Sequence, residues 1–344
     1  MKGRARSIRS GRLAGWGAAL VLALVVSFAA VSDVQAAGSR VVLAVGGAEC
    51  LCYLPTVLAH QLGFFADEGV DVELQNLKGG SKALEALVGG SADVVSGYYD
   101  HTITMQAKGR RLVSFVAFDQ YPGLVLVVSP HAAERIRAVR DLEGAVVGVT
   151  APGSSTHTFL NFLLAQDGLS GTDVSVVGIG LAATAIAAVE RGRVDAAVML
   201  DPAVTLLQRK GGIRILSDTR SEADTVAVYG GPYPAGVLYT TPEWLKANGQ
   251  TARAMARAMV RVLAWIQDHS AEEIMARMPR EFYENDPDLY LAALKNSLPM
   301  YSPDGVMDAR GPQNALKTLA LSDPAVAQAA IRLEATYTND FITP

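Results

Sequence analysis

The sequence predicts an α/β chain of two similar lobes joined by two hinge crossings. Three observations predict it: a strand and helix alternation that begins at Arg40, the return of the same order from Ala145, and a hydrophobic content of 50% over 344 residues, enough for a large core.

In the first half, VVLAV at 41–45 is a strand by its apolar, β-branched make-up. YLPTVLAHQLGFF at 53–65 follows as a helix closed near Gly63, and DVELQNL at 71–77 is the second strand. Gly79-Gly80-Ser81 opens a helix that ends around Gly89-Gly90, and ADVVSG at 92–97 is the third strand. This alternation marks a parallel sheet with crossover helices.

The order repeats with AVVGVT at 145–150, a helix from Thr156 to Gln166, DVSVVGI at 173–179, a helix ending at Gly192, and VDAAVML at 194–200. An ungapped alignment sets Ala83 on Ala185, Ala86 on Ala188, Gly90 on Gly192 and Asp93 on Asp195. Gln106-Ala107-Lys108-Gly109 falls on Gln208-Arg209-Lys210-Gly211. A shared register of glycines, strand starts and apolar positions implies two lobes of like fold. GLVLVVSP at 123–130 is an extended run ended by Pro130, while VAVYGG and GVLYTT within 226–241 read as returning strands. The chain is therefore expected to cross twice, with residues 39–126 and 227–344 in the first lobe and 127–226 in the second. An amphipathic stretch from Pro242 to His269 and further helices to about Thr336 are expected to pack back on the first lobe.

Lys2, Arg4, Arg6, Arg9 and Arg12 precede an apolar run from Leu13 to Val31, followed by Val34-Gln35-Ala36-Ala37. A basic stretch, an apolar stretch and a small-residue cleavage point make residues 1–36 a signal peptide, so the mature protein is expected to be exported. Cys50 and Cys52 stand one residue apart and are the only cysteines. A bridge so tight would be strained, and no neighbouring His or Cys completes a metal set, so both are expected to be unbridged and packed or cleft-facing. Neither metal nor cofactor is expected.

A formal net charge of −4, from 30 basic and 34 acidic residues spread along the chain, leaves no basic stripe for nucleic acid. Gly178-Ile179-Gly180 and Gly230-Gly231 lack dinucleotide spacing, and Asp100-His101 is only an adjacent pair, so no catalytic constellation is expected.

In open parallel sheets ligands lie beyond the carboxyl ends of the strands. That rule selects Gly46 to Tyr53, Gly79 to Ser81 and Gly97 to His101 in the first lobe, and Thr150 to His157, Gly180 to Thr184 and Leu200 to Pro202 in the second. The candidate ligand-binding residues are Glu49, Cys52, Tyr53, Gly80, Ser81, Tyr98, Tyr99, Asp100, His101, Ser154, Ser155, Thr156, His157 and Asp201. Small residues at 79–81 and 153–156 offer amides at helix starts to an oxygen or anionic group, and ordinary capping explains them equally. Aromatic rings and carboxylates, with Lys82 the one nearby cation, suit a flat or hydrogen-bonding solute.

YLPTVLAHQLGFFADEGVDVEL, with its Gly-Phe-Phe and following Glu-Gly, resembles the opening of the periplasmic binding proteins for nitrate, sulfonates, taurine, bicarbonate and thiamine-pyrimidine precursors. GGSKALEALVGGSADVV, DLEGAVVGVTAPGSSTH, RGRVDAAVMLDPAV and YTNDFI resemble later segments, so the likeness covers most of the mature chain. It implies a two-lobed periplasmic-binding-protein fold, type II-like, in a periplasmic monomer that hands a small-molecule solute to an ABC permease and ATPase complex in the inner membrane. The solute implied is small and polar, aromatic or heterocyclic. Anion-binding and sulfonate-binding relatives often carry arginine or tryptophan before the Pro202 equivalent, whereas Leu200 precedes Asp201 here. A sulfonate, nitrate or other small anion is the alternative ligand. A sensory solute receptor, or an enzyme related to thiamine-pyrimidine synthesis, is the alternative of another class; Cys50-Leu51-Cys52 is a small match to the cysteine-rich segment of such enzymes.

Overall fold

The computed structural model describes residues 39–342, and the expected signal peptide lies outside the described residues. Ten strands follow one another as β1 (Ser39–Val45), β2 (Val70–Asn76), β3 (Val94–Tyr98), β4 (Val113–Ala117), β5 (Val125–Val128), β6 (Val146–Val149), β7 (Ser175–Gly178), β8 (Ala196–Met199), β9 (Arg214–Asp218) and β10 (Gly236–Thr240). They form two five-stranded sheets, ordered β2-β1-β3-β10-β4 and β7-β6-β8-β5-β9. In the first, β1 runs parallel to β2 and β3, and β10 is antiparallel to β3 and β4. In the second, β6 is parallel to β7 and β8, and β5 is antiparallel to β8 and β9. The two expected lobes thus share one strand order. Each sheet takes its fourth strand from a crossing: residues 118–124 carry the chain to β5, and residues 219–235 bring it back to β10.

The aligned residues of the repeat do the same work twice. Asp93 Oδ2 accepts from the Val42 amide at 2.8 Å, and Asp195 Oδ2 accepts from the Val146 amide at 2.8 Å, each tying the lead-in of the repeat's third strand to the repeat's first strand. Gly90 and Gly192 close the preceding helices with φ of 78° and 61°, a left-handed conformation in which a Cβ is strained.

Several elements differ from expectation. VAVYGG is not a strand, because its first four residues end the helix Glu222–Tyr229. The Ser221 hydroxyl accepts from the Asp224 amide at the start, and Gly230 at φ 75° stops the helix, so capping outweighs the β preference of Val226 and Val228. The helix expected over 53–65 is split into a 3₁₀ turn Leu51–Tyr53 and helices Leu54–Gln61 and Phe64–Asp67, with Gly63 left-handed at the break. The amphipathic stretch from Pro242 divides at Asn248 into Pro242–Ala247 and Gly249–Asp268. VSFVA and RILSD form β4 and β9, which the apolar pattern did not single out; β9 lies at a sheet edge and none of its residues is fully buried.

Met255, Met259, Val262 and Leu263 of the long helix Gly249–Asp268 are fully buried, and the helix packs on Leu54–Gln61, Phe64–Asp67 and β4. Each such side chain contributes about 1.5–3 kcal/mol by leaving water. Val125, Val127, Val189, Val194 and Val204 form a separate apolar cluster on the second sheet. Helix Arg310–Ser322 touches both Asp100–Ala107 and Ser155–Gln166, so C-terminal helices reach elements of both sheets.

Burial opposes ionisation of Asp195, but hydrogen bonds from the Val146 amide and His131 and the charge of Arg135 outweigh it and hold the carboxyl below its usual value. A depressed folded pKa means stability that is present above the unfolded carboxylate value and lost as pH falls through the folded one. Asp195→Ala is expected to lower unfolding free energy by about 1 kcal/mol at neutral pH. Urea midpoints should show the deficit shrinking as pH falls below the usual carboxylate range and the wild-type carboxyl takes up its proton; a deficit independent of pH would contradict this assignment.

Candidate functional site

The carboxyl ends of the parallel strands meet across a gap. β1 runs into Gly46 and the turn Leu51–Tyr53, β2 leads to the helix Gly80–Val88, and β3 ends at Tyr98 before the helix Asp100–Ala107. From the other side, β6 leads through Thr150 to the helix Ser155–Gln166, and β8 ends beside Leu200. The resulting cleft is lined by Gly46, Cys52, Tyr53, Gly80 and Tyr98, by Leu124 of the first crossing, and by Thr150, Ser154, Ser155, Thr156, Leu181 and Leu200. Its open space is about 20 Å³, room for about one water.

The lobes are closed on one another. Ser155 Oγ donates to Asp100 Oδ1 at 2.7 Å, and the Leu51 amide donates to the Asp201 carbonyl at 3.1 Å. A Cβ on Gly47 would lie 2.0 Å from Leu181 Cδ1, so a side chain there meets the opposite lobe. The closing surfaces carry the starts of two helices, Gly80–Val88 and Ser155–Gln166, whose positive ends face the gap.

Beside the cleft, two buried polar atoms have no hydrogen-bond partner among the described residues. His101 is 2% exposed; its Nδ1 pairs with the Tyr239 hydroxyl at 3.0 Å, while Nε2 is unpaired. Ser81 Oγ, on the helix start beside Gly80, is also unpaired. A Cβ on Gly80 would lie 3.4 Å from His101 Cε1, which sets the imidazole against the cleft wall. Leaving a buried polar atom unpaired costs about 1–3 kcal/mol, a cost that a ligand atom can remove. Burial lowers the His101 pKa, with Lys108 adding to the shift and Asp100 opposing it, so the imidazole is neutral at physiological pH. Burial raises the phenol pKa of Tyr53 and Tyr98, and both remain protonated donors. The Tyr98 hydroxyl donates to the Pro122 carbonyl at 2.6 Å, and its ring stands edge to face with Tyr53, centroids 6.2 Å apart.

Of the residues selected from sequence, Cys52, Tyr53, Gly80, Tyr98, Ser154, Ser155 and Thr156 line the cleft, and Ser81, Asp100 and His101 adjoin it. Ser154 and Thr156 also shape their own loop: Ser154 Oγ donates to the Ala151 carbonyl at 2.6 Å, and Thr156 Oγ1 accepts from the Thr150 amide at 3.0 Å. Four residues expected at the cleft are engaged elsewhere. Tyr99 is fully buried with its hydroxyl against Thr336 Oγ1 at 2.6 Å and its ring against Tyr337. Glu49 accepts from Asn76 Nδ2 at 3.0 Å, and His157 Nδ1 accepts from the Gly153 amide at 3.0 Å. The Asp201 carboxylate accepts from the amide and hydroxyl of Thr205 and from Arg220 Nη1 at 3.2 Å, so only its backbone carbonyl reaches the other lobe.

The cysteines differ from expectation as well: Cys50 and Cys52 are joined in a disulfide. The 3₁₀ turn brings their Cα atoms to 5.2 Å, within bridging range, and the bridge belongs to the turn that presents Tyr53. Sequence reasoning passed over Gly46, Leu124, Thr150, Leu181 and Leu200. Four of these lay in the loops chosen by the strand-end rule, while Leu124 gave no signal because the path of a crossing is a tertiary property. Tyr229 and Tyr233, stacked at 4.0 Å, were also missed; burial raises both their pKa values, and the charge of nearby Asp100 adds to the shift. Among the described residues, neither arginine nor lysine lines the cleft.

A family model described as NMT1/THI5 like matches residues 53–273. A solved structure of a protein from Bordetella bronchiseptica RB50 is 42% identical with a TM-score of 0.86, covering 88% of this chain and 96% of that one. The putative binding protein YtlA of Bacillus subtilis (strain 168) is 23% identical over 265 residues, 75% of this chain and 76% of its own length. The alkanesulfonate-binding protein SsuA from Xanthomonas axonopodis pv. citri, solved bound to MOPS, is 21% identical with a TM-score of 0.65, covering 83% of this chain and 97% of that one. At that identity the likeness is one of fold, the two-lobed binding-protein fold.

Removing the hydroxyl that pairs with Asp100 across the gap should loosen closure. Ser155→Ala is expected to retain the secondary structure of the wild type and to show a larger radius of gyration by small-angle scattering; an unchanged radius would mean that this pair does not hold the lobes together.

Proposed function

The chain belongs to the NMT1/THI5-like family, and from that premise we propose that it is the extracytoplasmic solute-binding component of an ABC importer. The chain on either side of the crossings 118–124 and 219–235 acts as two lobes, the expected bounds at 126 and 227 falling inside β5 and the helix Glu222–Tyr229, and the solute is held between the lobes. The observation that carries this reading is the pair of unpaired polar atoms, His101 Nε2 and Ser81 Oγ, buried beside a cleft whose walls touch across Asp100 and Ser155. With space for about one water, the closed cleft admits a solute only when the lobes part, and the solute then favours whichever lobe angle pairs its own polar groups. The protein is exported to the periplasm as a monomer and presents its loaded form to the permease and ATPase in the inner membrane.

The solute in this reading is a small polar molecule with an aromatic or heterocyclic body. Tyr53 and Tyr98 supply ring surface, Leu124, Leu181 and Leu200 supply apolar surface, and the Asp100 carboxylate favours a hydrogen-bond donor over an anion. The alternative within the family is a small oxyanion on the two helix starts. SsuA from Xanthomonas axonopodis pv. citri, named as alkanesulfonate-binding, has the same fold, but here neither arginine nor lysine among the described residues lines the cleft. Binding without turnover is supported by the serines: Ser155 donates to Asp100 and Ser154 to the Ala151 carbonyl, so neither is paired with an imidazole base.

Thermal-shift screening of the mature chain against pyrimidines, aromatic acids, small amides and sulfonates is expected to reveal a stabilising solute from the first three classes. His101→Ala and Ser81→Ala should each weaken that solute about tenfold or more, a loss of at least ~1.4 kcal/mol. Tyr99→Phe, which removes a hydroxyl engaged with Thr336 and Thr102 away from the cleft, should bind as wild type. Stabilisation by sulfonates alone would move the reading to the oxyanion alternative, and wild-type affinity in both cleft variants would remove the cleft as the site.

A further inference from the structure

His101 sits in the first turn of the helix Asp100–Ala107, and Tyr239 lies on β10, the strand that the second crossing returns to the first sheet. Tyr239 is fully buried, and the one hydrogen bond of its hydroxyl among the described residues is with His101 Nδ1 at 3.0 Å. Gly97 of β3 makes room for this reach: a Cβ there would lie 2.8 Å from Tyr239 Cε1 and 3.2 Å from its hydroxyl oxygen. The two rings stand edge to face, centroids 6.0 Å apart, and this contact and the hydrogen bond together orient the imidazole.

A neutral imidazole carries one proton, on Nδ1 or on Nε2, and burial keeps His101 neutral. With the proton on Nδ1, that nitrogen donates to the Tyr239 oxygen, and two buried groups lack partners: the phenol proton and the Nε2 lone pair. With the proton on Nε2, the phenol donates to Nδ1, and only the Nε2 proton lacks a partner. An unpaired buried polar group is costly, so the arrangement with fewer of them prevails. The phenol does not escape by ionising, because burial drives its pKa well above the ordinary value. Tyr239 thus makes the free edge of His101 a donor.

That edge adjoins the cleft. A Cβ on Gly80 would lie 3.4 Å from His101 Cε1, the ring atom bonded to Nε2, 3.6 Å from Ser154 Cβ and 3.8 Å from the Tyr53 hydroxyl, so the imidazole, the opposite lobe and Tyr53 converge on one point of the wall. The unpaired Ser81 hydroxyl, next along the chain from Gly80, adds a second donor there.

We propose that Tyr239 is a positioning residue that fixes His101 as a donor through Nε2, and that the cleft thereby selects solutes presenting an uncharged hydrogen-bond acceptor at that end, a carbonyl oxygen or an unprotonated ring nitrogen. The solute preference rests on the cleft being the binding site; the place of the proton does not.

Proton–nitrogen correlation spectra of the full mature chain report which ring nitrogen is protonated, the His101 signals being identified by their loss in His101→Ala. Without solute, Nε2 is expected to carry the proton, and in Tyr239→Phe a measurable fraction should move to Nδ1. Calorimetry with benzamide, which offers a carbonyl oxygen, and with thiobenzamide, its near-isostere with a weaker acceptor, reads the selection. The wild type should bind benzamide several-fold more tightly than thiobenzamide, and His101→Ala should lose that preference. A proton on Nδ1 in the wild type, which decides the matter even if Tyr239→Phe does not fold, or an unchanged proton distribution in that variant, would overturn the role of Tyr239. Equal binding of the two amides by the wild type, or a preference retained in His101→Ala, would overturn the selection for an acceptor. Protonated Nε2 with neither amide bound would support the positioning role and count against the cleft as the solute site.

Discussion

Each sheet completes itself with a strand that the other half of the chain delivers. β5 enters the second sheet directly from the first, and β10 re-enters the first sheet from the second, each antiparallel between two partners. Because these strands are hydrogen-bonded on both sides, neither crossing can detach without opening a sheet. The lobes are therefore tethered at two points, and the freedom left to them is rotation about residues 118–124 and 219–235. The carboxyl ends of β1, β3, β6 and β8 then meet one gap, and the site follows from that arrangement.

Within the gap, polar groups divide into those already engaged and those left free. Asp201, Ser154, Thr156 and His157 engage their own loops, and Tyr98 holds the first crossing through the Pro122 carbonyl. His101 Nε2 and Ser81 Oγ remain unpaired, and the Asp100–Ser155 pair spans the lobes. A rigid surround with a few uncommitted atoms is what selective binding requires, since a ligand gains most by pairing atoms the protein cannot pair itself. The Cys50–Cys52 bridge belongs to the same logic, because it stiffens the turn that carries Tyr53.

Residue order alone determined the two-lobe plan. Alternating apolar runs mark parallel strands through local periodicity, and the register of Gly90 with Gly192 and Asp93 with Asp195 marks a repeated unit because each pair performs one local task, a left-handed stop or a strand-start hydrogen bond. The strand-end rule likewise reached the loops holding Tyr53, Gly80, Tyr98 and Ser155. What the order of residues left open was direction and company. Tyr98 and Tyr99 are neighbours of one kind, yet one faces the cleft and the other Thr336, since consecutive side chains diverge and only the packing of remote helices says which way is inward. The bridging of Cys50 and Cys52 turned on a 3₁₀ turn, and the fate of VAVYGG on caps at Ser221 and Gly230. Those are properties of contacts distant in sequence, and tertiary structure alone decided them.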